Sequence, residues 1–180
     1  MDWKGCLLPL ALPLSVLVIG SWRLAVSERS PASPLAPFQV SQDPAPDYTQ
    51  APPGIYPTCQ DDPALADLLL AEGRRLGIVV KTGLPELPGK DASYRAEPGR
   101  LGTIMIKQRP MSPLVRCMLI SHEFIHVLQH LHGELRGVPP LGWTNEHPDP
   151  IPQEAEAYGH QHRVGYVLSL LQATPRTSAN

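Results

Sequence analysis

The chain has 180 residues, a net charge of -2 and 22 prolines, and 18% of its residues are charged. This length accommodates one folded domain together with additional segments. The sequence has neither a basic stripe nor a phosphate-binding glycine loop, which excludes the electrostatic footprint of a nucleic-acid-binding protein. Its three cysteines form no CxxC pair, which excludes a zinc site built on cysteines.

Residues 1–26 are expected to form a signal peptide or an N-terminal membrane anchor. Lys4 precedes an uncharged apolar run from Cys6 to Ile19. The run is shorter than a membrane span of about 20 residues and fits the core of a signal peptide. If it continues through Trp22 and Ala25, it becomes a retained anchor. Both interpretations stay open, and both predict that the rest of the chain is exported (periplasmic, lumenal or extracellular) or held at a membrane.

Residues 27–57 are expected to form a disordered linker. Prolines stand there among Ser, Ala, Gln and Asp, and a stretch of this composition cannot bury enough apolar surface to fold. The folded domain is expected over residues 58–173, and a disordered tail over 174–180. Export makes a disulfide between Cys59 and Cys117 plausible, and two buried thiols are the alternative.

Patterns after residue 57 predict helices and short strands. The first helix is expected over residues 64–76, after the capping pair Asp62-Pro63. Strands are expected at 78–80 and 101–107, separated by a loop at 82–99 that is rich in Gly, Pro and charged residues.

The second half of the domain is expected to be helical. Ser112-Pro113 marks the start of a helix that continues to residue 132. A proline-rich loop over 134–151 follows, and one last helix is expected over 153–172. Three helices with a small sheet make an α+β domain.

The second predicted helix carries an HExxH pattern, which runs from His122 through Glu123 to His126. Residues four apart lie on one face of a helix, so both histidines can ligate one zinc ion. Glu123 misses the metal but reaches a water bound to it, which is the position of a general base. The pattern therefore predicts zinc-dependent hydrolysis of an amide bond. A solvated helix face with surface histidines is the alternative.

A catalytic zinc site needs a third protein ligand. His132 is rejected, because on a continuous helix it lies about 120° around from His126 and points away. A swing back toward the metal would need a glycine where the chain has Gln129. The remaining candidates are the donor side chains that follow the motif helix: His147, Asp149, Glu154 and Glu156.

HExxH, a loop and then Glu154-Ala155-Glu156-Ala157 resembles the gluzincin group of zinc metallopeptidases, especially small exported or membrane-linked members that read HExxHxxQ before a later ExEA. The resemblance covers about residues 100–165. It implies a zincin-like fold with an HExxH active-site helix, a Zn²⁺ cofactor and a peptide or protein substrate. It also implies that Glu154 is the third ligand and that Ala157 lets the two helices approach. Glu156 stays an alternative ligand.

Three side chains on the Glu154 face of the last helix are candidates to stabilise the oxyanion: Tyr158, Gln161 and His162. Gln129 is expected either to bond a ligand or the substrate, or to lie on the surface. His130 and His160 are expected on the surface. Asn145 or Asp149 is expected to orient a ligand histidine.

The substrate cleft is expected beside the second strand. In gluzincin-like folds such a strand forms a sheet edge where a peptide pairs as an added strand, so the resemblance implies this role for residues 103–106. The loop over 134–151 is expected to shape the cleft, with Trp143 as a contact. The chain is expected to be a monomeric zinc peptidase. A non-catalytic zinc-binding or partner-binding domain and a non-peptidase zinc amidohydrolase are the competing hypotheses.

Overall fold

The computed structural model describes residues 44–86 and 88–176. These residues form an α+β domain, which confirms the expected class, with the elements α1 Leu65–Leu76, β1 Val79–Thr82, β2 Ala92–Glu97, β3 Arg100–Ile106, α2 Pro113–His132, α3 Pro152–His160 and α4 Val164–Ala173. The expected targeting segment 1–26 lies outside the described residues. None of the described helices combines the length and the hydropathy that crossing a membrane requires.

The three strands form one sheet in the order β1-β3-β2. β3 pairs in parallel with β1 and antiparallel with β2. Two expectations are wrong here. Residues 92–97, expected in a loop, form β2. Their sequence is polar and charged, but pairing with β3 satisfies the hydrogen bonds of their backbone. β3 is the central strand, so residues 103–106 are not a sheet edge, and β2 lies along α2 instead.

Gly102 on β3 allows β2 to approach closely. A Cβ atom at this position would lie 1.8 Å from the carbonyl oxygen of Arg95. The pairing of the two strands shifts register between Arg95 and Glu97, next to this contact, as a β-bulge does. A residue with a side chain at position 102 would therefore force β2 away from its observed position.

The last predicted helix is two helices. α3 ends at His160 and α4 begins at Val164, so the domain has four helices among its described residues where three were expected. The backbone N–H of Cys59 donates to the carbonyl oxygen of His162 at 2.8 Å, within the break. No glycine or proline stands at 161–163. The break is therefore stabilised by a contact from a distant segment, which a local pattern does not reveal.

Residues 44–57, here called the N-terminal strap, were expected to be linker but pack against the domain. Tyr48 is buried, its hydroxyl lies 2.9 Å from Oγ1 of Thr174, and its carbonyl accepts from Nε1 of Trp143 at 2.9 Å. The backbone N–H of Gly165 donates to the carbonyl of Pro57 at 3.0 Å. The folded unit therefore includes the strap and Thr174. Although the strap has few apolar residues, the buried ring of Tyr48 and the hydrogen bonds of its backbone hold it against the domain.

The core lies between α1, α2, α4 and the sheet. Its largest fully buried apolar side chains include Leu69, Ile104, Ile120, Phe124, Ile125, Leu128 and Leu171. Several of them lie on α2, so burial of apolar surface holds the motif helix in the centre of the domain. Cys59 and Cys117 form a disulfide that joins the segment after the strap to α2, which answers the choice between a bridge and two thiols.

Candidate metal centre

α2 and α3 bring His122, His126 and Glu154 together. The Nε2 atoms of the two histidines lie 3.2 Å apart. Glu154 places Oε2 at 3.4 Å from Nε2 of His122 and Oε1 at 3.4 Å from Nε2 of His126. One donor atom from each residue lies within 4.8 Å of the others. This His–His–Glu group can bind a metal ion.

The local sequence explains how each side chain reaches the group. Ser112 caps α2 by accepting from the backbone N–H of Val115 at 3.2 Å, with proline next in the chain. The four-residue spacing of HExxH then puts both imidazoles on one face of α2, with ring centroids 4.8 Å apart. Glu154 lies in the first turn of α3, and the fully buried Ala157 lies where α3 packs against α2.

The polar atoms of the group fit a cation. Oε2 of Glu154 is buried and makes no hydrogen bond among the described residues, although Nε2 of His122 lies 3.4 Å away. An unpaired buried acceptor costs about 1–3 kcal/mol. A cation between the two Nε2 atoms and the carboxylate would satisfy Oε2 and remove the direct contact of two ring nitrogens. Two imidazoles and one carboxylate suit divalent transition metals.

Burial and ion pairing set the protonation of the group. The imidazoles of His122 and His126, each 3.4 Å from a carboxylate oxygen, hold the pKa of Glu154 well below its usual range. Burial lowers the pKa of His122. Burial also lowers the pKa of His126, but the contact with Glu154, the charge of Glu123 and the hydrogen bond to Gln129 outweigh it, so its pKa is raised. The carboxylate of Glu154 is ionised near neutral pH, which is the form that ligates.

Glu123 lies beside the group and outside it. Its side chain is buried, and this burial raises its pKa to about 7. The charge of His126 and a backbone hydrogen bond from Tyr94 oppose the rise. A carboxyl with this pKa exchanges protons readily near neutral pH.

A cavity of about 240 Å³ opens on the His–His–Glu group. Its walls come from the motif helix α2, from residues 89–94 at and before the start of β2, and from α3. Tyr158 and Gln161 line it, as expected of oxyanion candidates, whereas His162 does not. His162 lies in the break between α3 and α4.

Gln129 hydrogen-bonds the candidate ligand His126 and does not lie on the surface, so the first of the two expectations for it is the correct one. It is fully buried, and its Oε1 lies 2.8 Å from Nδ1 of His126. Its Nε2 donates to Oε2 of Glu156 at 2.8 Å, which fixes the orientation of the amide. Because an amide oxygen only accepts, Nδ1 of His126 carries a proton and Nε2 is directed at the group.

Glu156 is not part of the His–His–Glu group. Its Oε2 accepts from Gln129 and from the backbone N–H of Leu141, and its Oε1 accepts from the N–H groups of Gly142 and Trp143, all at 2.8 Å. Both oxygens are therefore occupied in holding the loop after α2. Glu156 as a ligand is wrong in this structure.

The other ligand candidates also lie outside the group. His147 is exposed and stacks on the ring of Tyr158, with centroids 4.8 Å apart. Asp149 accepts from the backbone N–H of Ile151 at 2.9 Å. His132, rejected from the spacing, is exposed.

Several expectations about neighbouring residues are wrong. His130 and His160, expected on the surface, are buried. Each imidazole has a hydrogen-bond partner inside the domain: Tyr94 Oη lies 2.8 Å from Nδ1 of His130, and the carbonyl of Thr144 lies 3.0 Å from Nε2 of His160. Trp143 is buried against the strap and does not line the cavity. Asn145 bonds only within its own loop, and it and Asp149 make no hydrogen bond to a ligand histidine.

Lys90 and Tyr94 are cavity residues that sequence reasoning missed. Lys90 donates to Oη of Tyr158 at 3.0 Å, and Tyr94 lines the wall formed by β2. Both belong to the stretch expected as loop, and no motif marks them. Only the pairing of β2 with β3 brings them to the cavity.

Comparisons of the chain with protein-family models, with curated proteins and with solved structures find no match. The chemistry of the His–His–Glu group therefore has to be inferred from its own geometry.

Proposed function

We propose that the chain is a zinc-dependent peptidase of the gluzincin type, with His122, His126 and Glu154 as zinc ligands. The supporting observation is the convergence of both HExxH histidines with Glu154 from a second helix, 3.4 Å from each Nε2 atom. Two histidines and one glutamate are a ligand set of catalytic zinc sites that keep one position open. A zincin-like arrangement, with the motif helix beside a sheet edge, is part of the proposal.

Glu123 is the general base in this proposal. Zinc, when bound, supplies Lewis acidity, which lowers the pKa of water toward about 7 and polarises a substrate carbonyl. Glu123 accepts the proton of the attacking water and returns it to the leaving amine. Its burial and its pKa of about 7 suit both transfers. Gln129 keeps Nε2 of His126 directed at the metal position, and Tyr158 lies at the cavity as a hydrogen-bond donor for the oxyanion.

The substrate peptide pairs with β2 in this proposal. Among the described strands β2 pairs only with β3, so its outer edge offers backbone N–H and C=O groups to an added strand. Residues 92–94 of this strand line the cavity, which brings a paired peptide past the His–His–Glu group. This role replaces the one expected for residues 103–106.

The proposal includes an exported protein. The disulfide between Cys59 and Cys117 supports an oxidising compartment, since such bridges are rare in the cytosol. The signal peptide or anchor expected in residues 1–26 is the means of export.

Glu123→Gln tests the mechanism. The full chain is expected to bind one zinc per molecule and to cleave denatured protein or a peptide library. Glu123→Gln is expected to keep the zinc and to lose at least about 10²-fold in kcat, the scale of general base catalysis. Zinc is measured by elemental analysis. The exposed Glu86→Gln, on the loop before β2, is the matched control.

Each outcome separates the competing hypotheses. Full activity in Glu123→Gln contradicts the mechanism, and absence of zinc binding contradicts the function. Retained zinc without cleavage of any peptide favours a non-catalytic zinc domain. Cleavage restricted to small non-peptide amides favours an amidohydrolase.

A further inference from the structure

Lys90 is the one lysine or arginine among the described residues that line the cavity. It stands two residues before β2 begins. Its Nζ lies 3.0 Å from Oη of Tyr158 and 3.8 Å from Oε2 of Glu154. A cation is therefore held at the start of the strand that borders the His–His–Glu group.

Glu154 is the one carboxylate among the described cavity residues that forms an ion pair with Lys90. Asp91 also lines the cavity, but its carboxylate pairs with Arg109 and Lys107. A divalent cation in the His–His–Glu group would offset the charge of Glu154. A divalent ion and Lys90 together would then exceed the charge of Glu123 and Glu154 by one unit, so the loaded cavity favours an anionic ligand.

We propose, on the basis of the proposed peptidase function, that Lys90 binds a substrate carboxylate on the C-terminal side of the scissile bond. The carboxylate comes from the substrate's own C-terminus or from an acidic side chain there. Tyr158 positions Lys90, because its hydroxyl accepts from the ammonium and keeps its own proton for the oxyanion.

The position of Lys90 selects the C-terminal side. A peptide that pairs antiparallel with β2, the more stable arrangement, has its later residues next to the beginning of β2, where Lys90 lies. Consecutive residues are about 3.8 Å apart along a chain. Nζ of Lys90 lies 3.8 Å from a carboxylate oxygen of Glu154, so Lys90 is within reach of a residue close after the scissile bond.

The ammonium of Lys90 stays charged at neutral pH. An ordinary lysine has a pKa of about 10.4, so Lys90 donates to Tyr158 as an ammonium. About two fifths of the Lys90 side chain is exposed (41%), so an incoming peptide reaches it from solvent.

Peptide binding to the full chain carrying Glu123→Gln tests the proposal without turnover. The zinc-loaded protein is titrated by calorimetry with three acetylated tripeptides: Ala-Ala-Ala with a free carboxylate, Ala-Ala-Ala amide, and Ala-Ala-Asp amide. At least one carboxylate peptide is expected to bind about tenfold more tightly than the neutral amide, from the lower range for hydrogen bonds to charged groups. A preference for the free C-terminus indicates an exopeptidase. A preference for the Asp peptide indicates an endopeptidase that cleaves before acidic residues.

Lys90→Met in the same background is expected to abolish the preference, while Lys81→Met on β1, which is not part of the cavity lining, keeps it. Circular dichroism and zinc content show that both variants are folded and loaded. Equal affinity for all three peptides, including no measurable binding, overturns the proposal. A preference that persists in Lys90→Met also overturns it, because zinc itself would then hold the carboxylate. Failure of the peptidase function is seen separately, as absence of cleavage in the chain with Glu123 intact.

Discussion

Glu156→Gln distinguishes the buried carboxylate that holds the loop from the carboxylate that faces the metal position. The native side chain accepts four hydrogen bonds of 2.8 Å, from Gln129 and from the backbone N–H groups of Leu141, Gly142 and Trp143. An amide has only one oxygen. Whichever way it is oriented, two of these four donors lose their acceptor, and at least one of them is a buried backbone N–H.

The expected loss in the free energy of unfolding is about 2–4 kcal/mol, since an unpaired buried donor costs about 1–3 kcal/mol and bonds to a charged acceptor are stronger than neutral ones. For a domain of this size the melting temperature is expected to fall by about 10 °C. The measurement is urea unfolding of the metal-free full chain in the presence of a chelator, followed by circular dichroism. Removing the metal separates folding from ligation.

Glu154→Gln is the matched variant, two residues away on the same helix. Glu154 makes only 3.4 Å ion-pair contacts with the two histidines and is partly exposed, so its replacement is expected to cost the metal-free protein about 1 kcal/mol, less than Glu156→Gln costs. Zinc affinity is expected to respond in the opposite order. Under the proposed function Glu154→Gln removes a zinc ligand, whereas Glu156→Gln is expected to weaken zinc binding only about 10–100-fold, through Gln129 and His126.

Two results would refute this reasoning. If metal-free Glu156→Gln unfolds at the same urea concentration as the parent chain, the four hydrogen bonds do not stabilise the domain. If Glu156→Gln abolishes zinc binding while Glu154→Gln keeps it, the ligand is Glu156 and the two roles are exchanged.

Three further predictions concern the scaffold around the site. Gly102→Ala is expected to destabilise the domain by about 3 kcal/mol or more, because the carbonyl of Arg95 on β2 is backbone and cannot move aside. Gly137→Ala, where an added Cβ would meet no atom within 4 Å, is the control. Equal urea midpoints for the two variants would contradict the prediction. Reduction of the Cys59–Cys117 bridge, whose cysteines are 58 residues apart, is expected to cost about 4 kcal/mol by the chain-entropy relation, and unfolding with and without reductant measures it. Burial lowers the pKa of His130, so its contribution to the metal-free stability is complete above its unfolded pKa of about 6.5 and is lost as the pH falls below this value. The difference in unfolding free energy between the parent and His130→Gln is therefore expected to shrink from pH 7.5 to pH 5.5, and a constant difference would count against the titration.

The convergence of His122 with His126 was predictable because it depends on local geometry alone. A four-residue spacing on an α-helix places two side chains on one face wherever the helix lies. The helix itself was marked by Ser112-Pro113 and by its apolar residues, and α2 begins and ends within one residue of the expected bounds. The predicted start before α1 depended on the same kind of local signal, but α1 begins at Leu65 with Ala64 as its N-cap, and Asp62 instead accepts from the backbone N–H of Ala64 at 3.0 Å.

The choice of Glu154 over Glu156 was not readable from spacing. Two residues apart on a helix, these side chains point about 200° from each other, and only the docking of α3 decides which one faces α2. The N–H groups of residues 141–143 and the amide of Gln129 then bind Glu156. The resemblance to gluzincins favoured Glu154, and the geometry of the group agrees with it.

By itself, the sequence determined the motif helix, the α+β class and the face that carries both histidines, because these follow from contacts within a few residues. Only the tertiary structure decided the pairing of β2, the break between α3 and α4, the packing of the N-terminal strap, and the burial of His130 and His160. Each of these depends on hydrogen bonds between segments far apart in the chain, such as Cys59 with His162. Such bonds leave no periodic trace in the sequence, because either partner alone looks like an ordinary loop or surface residue.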